Sequence, residues 1–241
     1  MALVDPAFLE MPEDPTVGAM PYYQHLIEWA RAETENLTPE QLDFHDDSPD
    51  KEWMWWSIRR QVSHMAWDAL IFSRRRCAEL LWPAGDIPTP IIWEDHRLGS
   101  GMKYDRMLDK EKFWELPDLF GRLQIGTDYL HRVVTEQSIE TLRGTREAVH
   151  GTPFWSYVIG TLPRGASHDI EDKWFINYDL EGSLWMVFYE QLSHVRTIQR
   201  FKDHLGLESV IDLPKVGYLR LPHYWGDTNE SGPDMSRLPE S

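Results

Sequence analysis

The sequence predicts an all-α fold: a single domain, residues 1–241, built as a four-helix bundle. Four segments carry apolar residues at the three- and four-residue intervals of an amphipathic helix. Hydrophobic residues make up 41% of the chain, which is enough for a sizeable core. The first link between these segments is short and the next two are long, and long crossovers are required where neighbouring helices of a bundle run parallel.

The first predicted helix covers about residues 17–37. Tyr23, Leu26 and Ala30 share one of its faces. It is expected to end before Thr38 and Pro39, because the residue that precedes a proline resists the α conformation. Thr38 can then cap a further short turn of helix that contains Pro39 and Gln41.

The second predicted helix covers about residues 52–81 and stops at the Trp82-Pro83-Ala84-Gly85 segment. An apolar line and a polar line run side by side along it. The apolar line is Ile58, Val62, Met65, Ala69 and Phe72, and the polar line includes Ser57, Gln61, His64 and Asp68. The helix therefore places ionisable side chains at the edge of the core.

The third and fourth helices are predicted at about residues 116–137 and 184–205, with Gly206 as the stop signal of the last one. The insert between them, 138–182, is rich in Trp, Gly and Pro, and its segments 154–159 and 174–178 predict short strands of a β-hairpin. The tail from about residue 207 is expected to wrap the surface of the domain.

Charge and composition exclude several classes of protein. The net charge is −16, so a basic face for binding nucleic acid is not expected. No apolar run approaches the ~20 residues that span a bilayer, and the acidic start of the chain lacks a signal-peptide core. Cys77 is the only cysteine, which rules out an intrachain disulfide. We therefore expect a cytoplasmic protein that binds neither nucleic acid nor membrane.

The candidate site begins with the fourth helix, where an apolar line contains two ionisable side chains. Val187, Glu190, His194, Ile198 and Phe201 recur at steps of three and four and share one face. A carboxylate on a core-facing line is costly unless it is paired or binds a metal. The spacing of Glu190 and His194 allows both to bind one ion, and the alternative is a buried pair with each other or with an arginine.

Two blocks of the chain resemble the DinB-like superfamily of small helical bundles, which includes bacillithiol- and mycothiol-dependent transferases. The first block comprises Leu37-Thr38-Pro39-Glu40-Gln41-Leu42, Trp56-Ser57-Ile58 and Val62-Ser63-His64-Met65. The second comprises Glu190-Gln191-Leu192-Ser193-His194, Ile198-Gln199-Arg200 and Leu205-Gly206-Leu207. The resemblance implies a divalent ion held between the second and fourth helices.

The resemblance assigns the metal ligands His64, Glu190 and His194, with Glu190 where the family usually has a histidine. Two histidines and one carboxylate occur with zinc in hydrolases and with non-haem iron, so the ligand set does not choose between zinc, nickel and iron. The carboxylate also lowers the net charge at the ion, so a water bound there is expected to be less acidic.

Asp68, one turn after His64, is predicted as the catalytic side chain, either orienting an imidazole or accepting a proton. The alternative is a surface carboxylate paired with Arg59, Arg74 or Arg75. Trp55, Trp67 and Trp185 flank the expected ligands and either wall a pocket or pack in the core. His168 is expected to be a solvated loop histidine, and Cys77 lies some ~20 Å along the helix from His64, too far to act as nucleophile.

The leading functional hypothesis is a metal-dependent enzyme, a thiol transferase or a hydrolase, that acts on a small-molecule substrate. By the same resemblance, a low-molecular-weight thiol is a candidate cofactor and a homodimer is a candidate assembly. The alternative hypothesis is a DinB-like binding or interaction protein without catalysis. A di-iron carboxylate protein is not expected, because such sites need Glu-x-x-His pairs on two helices, and the chain has one such spacing, from Glu147 to His150, outside the predicted helices.

Overall fold

The computed structural model describes residues 2–3, 23–45, 56–82, 106–150, 159–172, 175–221 and 224–225. These residues form a mostly helical structure with a small antiparallel sheet, so a helical class is confirmed. Within these ranges, no helix has both the length and the apolar character needed to cross a membrane.

Within the described residues, six α-helices have five residues or more, and the bounds of the longest agree with the sequence pattern to within a few residues. The helix predicted at 116–137 runs from Leu116 to Glu136, and the one predicted at 184–205 begins four residues earlier, at Leu180. Residues 17–22 and 52–55 of the first two predicted helices lie outside the described residues. The helices are α1 Tyr23–Thr34, α2 Pro39–Asp43, α3 Ile58–Phe72, α4 Leu116–Glu136, α5 Ile139–Gly144 and α6 Leu180–His204.

Local side chains explain where several helices begin. The Thr38 side chain accepts a hydrogen bond from the backbone N–H of Gln41, and the Gln41 side chain accepts one from the N–H of Thr38, so the predicted cap of α2 is confirmed. At the start of α6, Asp179 Oδ1 accepts from the N–H of Gly182 at 2.7 Å. That cap accounts for the earlier start of α6.

After α3 the chain stays helical. It passes through a widened turn, Ser73–Ala78, into a last turn, Glu79–Leu81. The chain therefore stays helical up to the end that the sequence predicts. The Ser73 hydroxyl donates to the carbonyl groups of Ala69 and Gly126, at 2.5 and 3.1 Å. This hydroxyl ties the widened turn to α4.

The core forms where the long helices meet. Helix α3 packs against α4 and α6, and α1 packs against the same two helices from another side. Gly126 allows α3 and α4 to approach closely, because a Cβ at this position would lie 2.7 Å from the Cβ of Ala69. Side chains of all four helices, such as Ala30, Val62, Leu130 and Leu192, are fully buried.

The sheet lies within the insert and extends the predicted hairpin. Strand β4, Phe175–Asp179, pairs antiparallel with β2, Arg146–His150, on one side and with β3, Ala166–His168, on the other. The strand expected at 174–178 is thus confirmed for its described part. Its expected partner falls on residues 154–158, outside the described residues, and on Ile159, which begins a 3-10 turn, Ile159–Thr161.

The described part of the tail packs against the domain through buried apolar side chains, while Glu208, Asp212 and Lys215 are exposed. The expectation that the tail wraps the surface of the domain stays a prediction. Strand β1, Ala2–Leu3, pairs in parallel with β5, Ile211–Asp212. Glu33 contacts the start of β5, where it accepts hydrogen bonds from the backbone N–H groups of Val210 and Ile211. It also pairs with Lys202. The apolar tail side chains Val216, Tyr218, Leu219 and Tyr224 are also buried.

Candidate metal centre

Three side chains from α3 and α6 converge where the two helices pack together. His64 Nε2 lies 4.0 Å and His194 Nε2 lies 3.5 Å from Glu190 Oε1. The two imidazole rings are 4.5 Å apart between centroids. The three ligand atoms all lie within 4.8 Å of one another, which makes this cluster a candidate metal site.

The spacing of the atoms suits a divalent ion. Zinc binds histidine nitrogen and carboxylate oxygen at about 2.0–2.2 Å, so small side-chain rotations bring all three atoms onto one ion. The side chains of His64, Glu190 and His194 are 2%, 13% and 1% exposed. Three donors leave further coordination positions open, as is typical of catalytic ions.

In each imidazole, Nδ1 contacts a hydrogen-bond acceptor, and Nε2 faces Glu190. His64 Nδ1 donates to the backbone carbonyl of Arg106 at 2.5 Å, and His194 Nδ1 donates to Gln61 Oε1 at 2.5 Å. A carbonyl and an amide oxygen can only accept, so each Nδ1 carries the proton. In the neutral form of each imidazole, Nε2 then keeps a lone pair, and this is the form of histidine that binds metal.

Gln61 has its amide orientation fixed by a second contact. Its Nε2 donates to the backbone carbonyl of Trp56 at 3.2 Å, which turns Oε1 toward His194. Gln61 is fully buried on α3, one turn before His64. The sequence placed Gln61 on the polar line of this helix but did not predict its contact with His194.

Electrostatics favour the unprotonated forms of the ligands on α6. Burial, followed by the nearby charge of His64, lowers the pKa of His194 to about 4, against the opposing effect of Glu190. Burial by itself would raise the pKa of Glu190, but the contacts with His194 and His64 outweigh it and hold that pKa below its usual value. A carboxylate and a neutral imidazole are the forms that bind a cation.

Aromatic rings enclose His64 on two sides. The indole of Trp67 stacks on its imidazole at 5.6 Å between centroids, and that of Trp56 meets it edge-on at 5.3 Å. Of the three tryptophans that the sequence singled out, Trp67 is therefore at the site and Trp185 is fully buried. Trp55 lies outside the described residues.

Asp68 is buried beneath the cluster and is not a surface carboxylate, so that alternative is wrong. Its Oδ2 accepts from Gln191 Nε2 at 3.1 Å, and the same amide donates to the carbonyl of Met65. Desolvation raises the pKa of Asp68 to about 7, while the charge of His64 lowers it and that of Glu190 raises it. The predicted role of orienting His64 through Nδ1 is taken by the carbonyl of Arg106.

The segment that follows residue 105 docks on the same face of α3. The Arg106 carbonyl binds His64, and two residues later the N–H of Leu108 donates to Ser63 Oγ at 3.1 Å. The guanidinium of Arg106 lies 5.6 Å from the centre of the Trp56 ring. Its positive charge also lowers the pKa of Asp68 and that of His194.

Tyrosines of the tail close another side of the cluster. Tyr218 and Tyr224 are both buried, and the charge of Glu190 contributes, after desolvation, to a raised pKa of each phenol. Gly217 makes this docking feasible, since a Cβ there would lie 2.2 Å from the ring of Tyr189. No pattern in the amino-acid sequence predicts these contacts.

The remaining predicted candidates lie elsewhere. Burial raises the pKa of Cys77 to about 12, which fits its predicted unsuitability as a nucleophile. His168 is exposed, as expected, but lies on strand β3. Comparisons of the chain with protein-family models, with curated proteins and with solved structures found no match.

Proposed function

We propose that this protein is a metal-dependent enzyme that acts on a small molecule, as a thiol transferase or a hydrolase. The observation that carries the proposal is the buried cluster of His64, Glu190 and His194, with their ligand atoms within 4.8 Å of one another. Each imidazole is also fixed by an acceptor at Nδ1. Ordered outer contacts of this kind accompany metal ligands because they fix the tautomer and the ring orientation.

The proposal includes the fold: a DinB-like four-helix bundle of α1, α3, α4 and α6. It is supported by the packing of α1 and α3 on both α4 and α6. The position of the ligands on α3 and α6 also agrees with the second and fourth helices of the bundle that the sequence resembles. The thiol cofactor and the homodimer remain predictions from that resemblance.

A divalent ion held by the three side chains would act as a Lewis acid that activates a water molecule or a thiol. The protein's own contribution to proton transfer is assigned to Asp68. Its pKa of about 7 is close to neutral pH, where a carboxylate can both accept and return a proton. Gln191 holds one oxygen of this carboxylate through the hydrogen bond at 3.1 Å.

Reconstitution of chelator-treated protein tests the proposal. The protein would be assayed for hydrolysis of a 4-nitrophenyl ester and for transfer of a low-molecular-weight thiol to a chloronitrobenzene. We expect no turnover without metal, recovery with one of zinc, nickel or iron, and no recovery in His64→Ala. The control His131→Ala changes a histidine on α4 and should recover fully.

Two results would contradict the proposal. Equal turnover before and after chelation would show that the reaction does not depend on the ion. Binding of one metal ion without turnover on any substrate would favour the non-catalytic binding protein instead.

A further inference from the structure

Arg106 is singled out among the arginines of the described part of the chain by its position, because its backbone carbonyl contacts the proposed ligand His64. Arg59, Arg76, Arg143 and Arg164 each pair with a carboxylate. Arg106 is half-buried, yet its guanidinium contacts only the face of Trp56 among the described residues. A partly desolvated guanidinium without an anion is costly, since its five N–H donors need acceptors.

The backbone of Arg106 places this positive charge beside the candidate metal centre. The carbonyl oxygen of the same residue binds His64 Nδ1, so the guanidinium is within one side-chain length of a proposed ligand. Trp56 contacts both groups, because its ring meets the imidazole of His64 edge-on and the guanidinium of Arg106 lies over it. The side chain thus lies at the rim of the site.

The charges around the site favour an anionic ligand. A divalent ion would be balanced in part by the carboxylate of Glu190, and Arg106 adds a further positive charge beside it. The chain as a whole carries a net charge of −16 and repels anions, so an anionic substrate needs a local cation. The planar fork of a guanidinium matches the two oxygens of a carboxylate.

We propose that Arg106 is the specificity-determining residue of this site and binds a carboxylate of the small-molecule substrate. The inference rests on the proposed function, because the reacting part of that substrate is taken to be activated at the ion. The substrate class is then a small acid with its reactive group at one end and its carboxylate at the other. The carbonyl contact to His64 is independent of this role, since any residue at position 106 supplies a carbonyl.

Ligand binding to protein loaded with Co²⁺ tests the proposal without an activity assay. Thiols that bind Co²⁺ produce a charge-transfer absorption, so 3-mercaptopropionate and 4-mercaptobutyrate can be titrated beside the corresponding mercapto-alcohols. We expect the wild type to bind the acids about tenfold or more tightly than the alcohols, as a charge-assisted hydrogen bond provides. Arg106→Gln should lose this preference and bind both at the affinity of the alcohols.

Two further variants control the experiment. Arg106→Lys keeps the charge but not the fork, and should retain part of the preference. Arg122→Gln removes another guanidinium that lies over an aromatic ring, at 4.4 Å from the centre of Phe113, and should keep the preference in full.

The outcomes separate the two proposals. Failure of the wild type to bind Co²⁺ would overturn the proposed function and this inference with it. Binding of Co²⁺ with equal affinity for acids and alcohols would overturn the role of Arg106 alone. A preference of the same size in Arg106→Gln would do so too, because it would place the carboxylate on the metal. If Arg106→Gln does not bind Co²⁺, the wild type and Arg106→Lys still test the role of Arg106. The absence of a preference for acids in either protein would contradict the proposal.

Discussion

The side-chain oxygen of Gln61 accepts a hydrogen bond from His194 Nδ1 at 2.5 Å, across the boundary between α3 and α6. The amide of Gln61 is in turn fixed by the carbonyl of Trp56. One helix thereby orients a proposed metal ligand carried by the other. The contact links the packing of the two helices to the geometry of the site.

Replacing Gln61 with Leu should weaken metal binding while leaving all three ligands in place. Loss of an outer partner of a metal-bound histidine typically costs 10–100-fold in affinity. Competition with a chromophoric chelator measures the change, and Gln61→Glu, which keeps an acceptor at this position, should retain most of the affinity. Unchanged affinity in Gln61→Leu would show that the hydrogen bond does not orient His194.

Asp68→Asn should change how the stability of the metal-free protein depends on pH. The pKa of about 7 in the folded state lies above that of an unfolded Asp, near 3.8. The folded state therefore binds more protons between these values, and the stability of the wild type falls as pH rises from about 4 to 7. Above the pKa of Asp68 in the folded state, this loss of stability has reached its full size.

Because Asn does not ionise, Asp68→Asn should be stabilised relative to the wild type at pH 8 and gain little at pH 5. Urea unfolding of both proteins at the two pH values, after removal of metal, gives the comparison. Parallel stability profiles across this range would contradict the buried, partly protonated carboxyl group.

Cys77 should react slowly with thiol reagents in the folded protein. Burial raises its pKa to about 12, so almost no thiolate exists at pH 8, and the side chain is 2% exposed. Because the chain has one cysteine, alkylation by iodoacetamide reports on it alone. We expect rapid labelling only in urea; native labelling at the rate of a free thiol would contradict the burial of Cys77 in the widened turn, Ser73–Ala78.

Glu33→Ala should be strongly destabilising although Glu33 is not part of the site. The substitution leaves Lys202 buried without its partner and removes the acceptor of the Val210 and Ile211 N–H groups. Breaking a buried pair in this way costs about 3–5 kcal/mol. Urea unfolding measures the loss, and Glu35→Ala, an exposed position nearby, should change stability little. Similar stability of the two variants would contradict the role of Glu33.

The long helices and the shared face of Glu190 and His194 could be predicted because their signals are local. The line of Val187, Glu190 and His194 follows from spacing within one helix, and the bounds of α4 agree with its pattern to one residue. The capping box of α2 likewise depends on two residues that are close in sequence, Thr38 and Gln41. The resemblance of two blocks to one family was needed to add His64, which lies on another helix.

The outer contacts of the site could not be predicted because they form between distant positions. Arg106 contacts His64 through its backbone carbonyl. Every residue type has this group, so the residue type at position 106 does not signal the contact. Tyr218 reaches the site by folding of the tail, and Gln191 reaches Asp68 only once α3 and α6 are packed. The strands β2 and β3 are short and paired by tertiary contacts, so their periodicity is weak.

Metal content of freshly purified protein tests the central claim most directly. Wild type, His64→Ala, Glu190→Ala and the control His131→Ala would be compared by elemental analysis. We expect about one divalent ion per chain in the wild type and the control, and loss of that ion in both ligand variants. Absence of metal from the wild type, together with no uptake of zinc, nickel or iron by any of the four proteins, would contradict it.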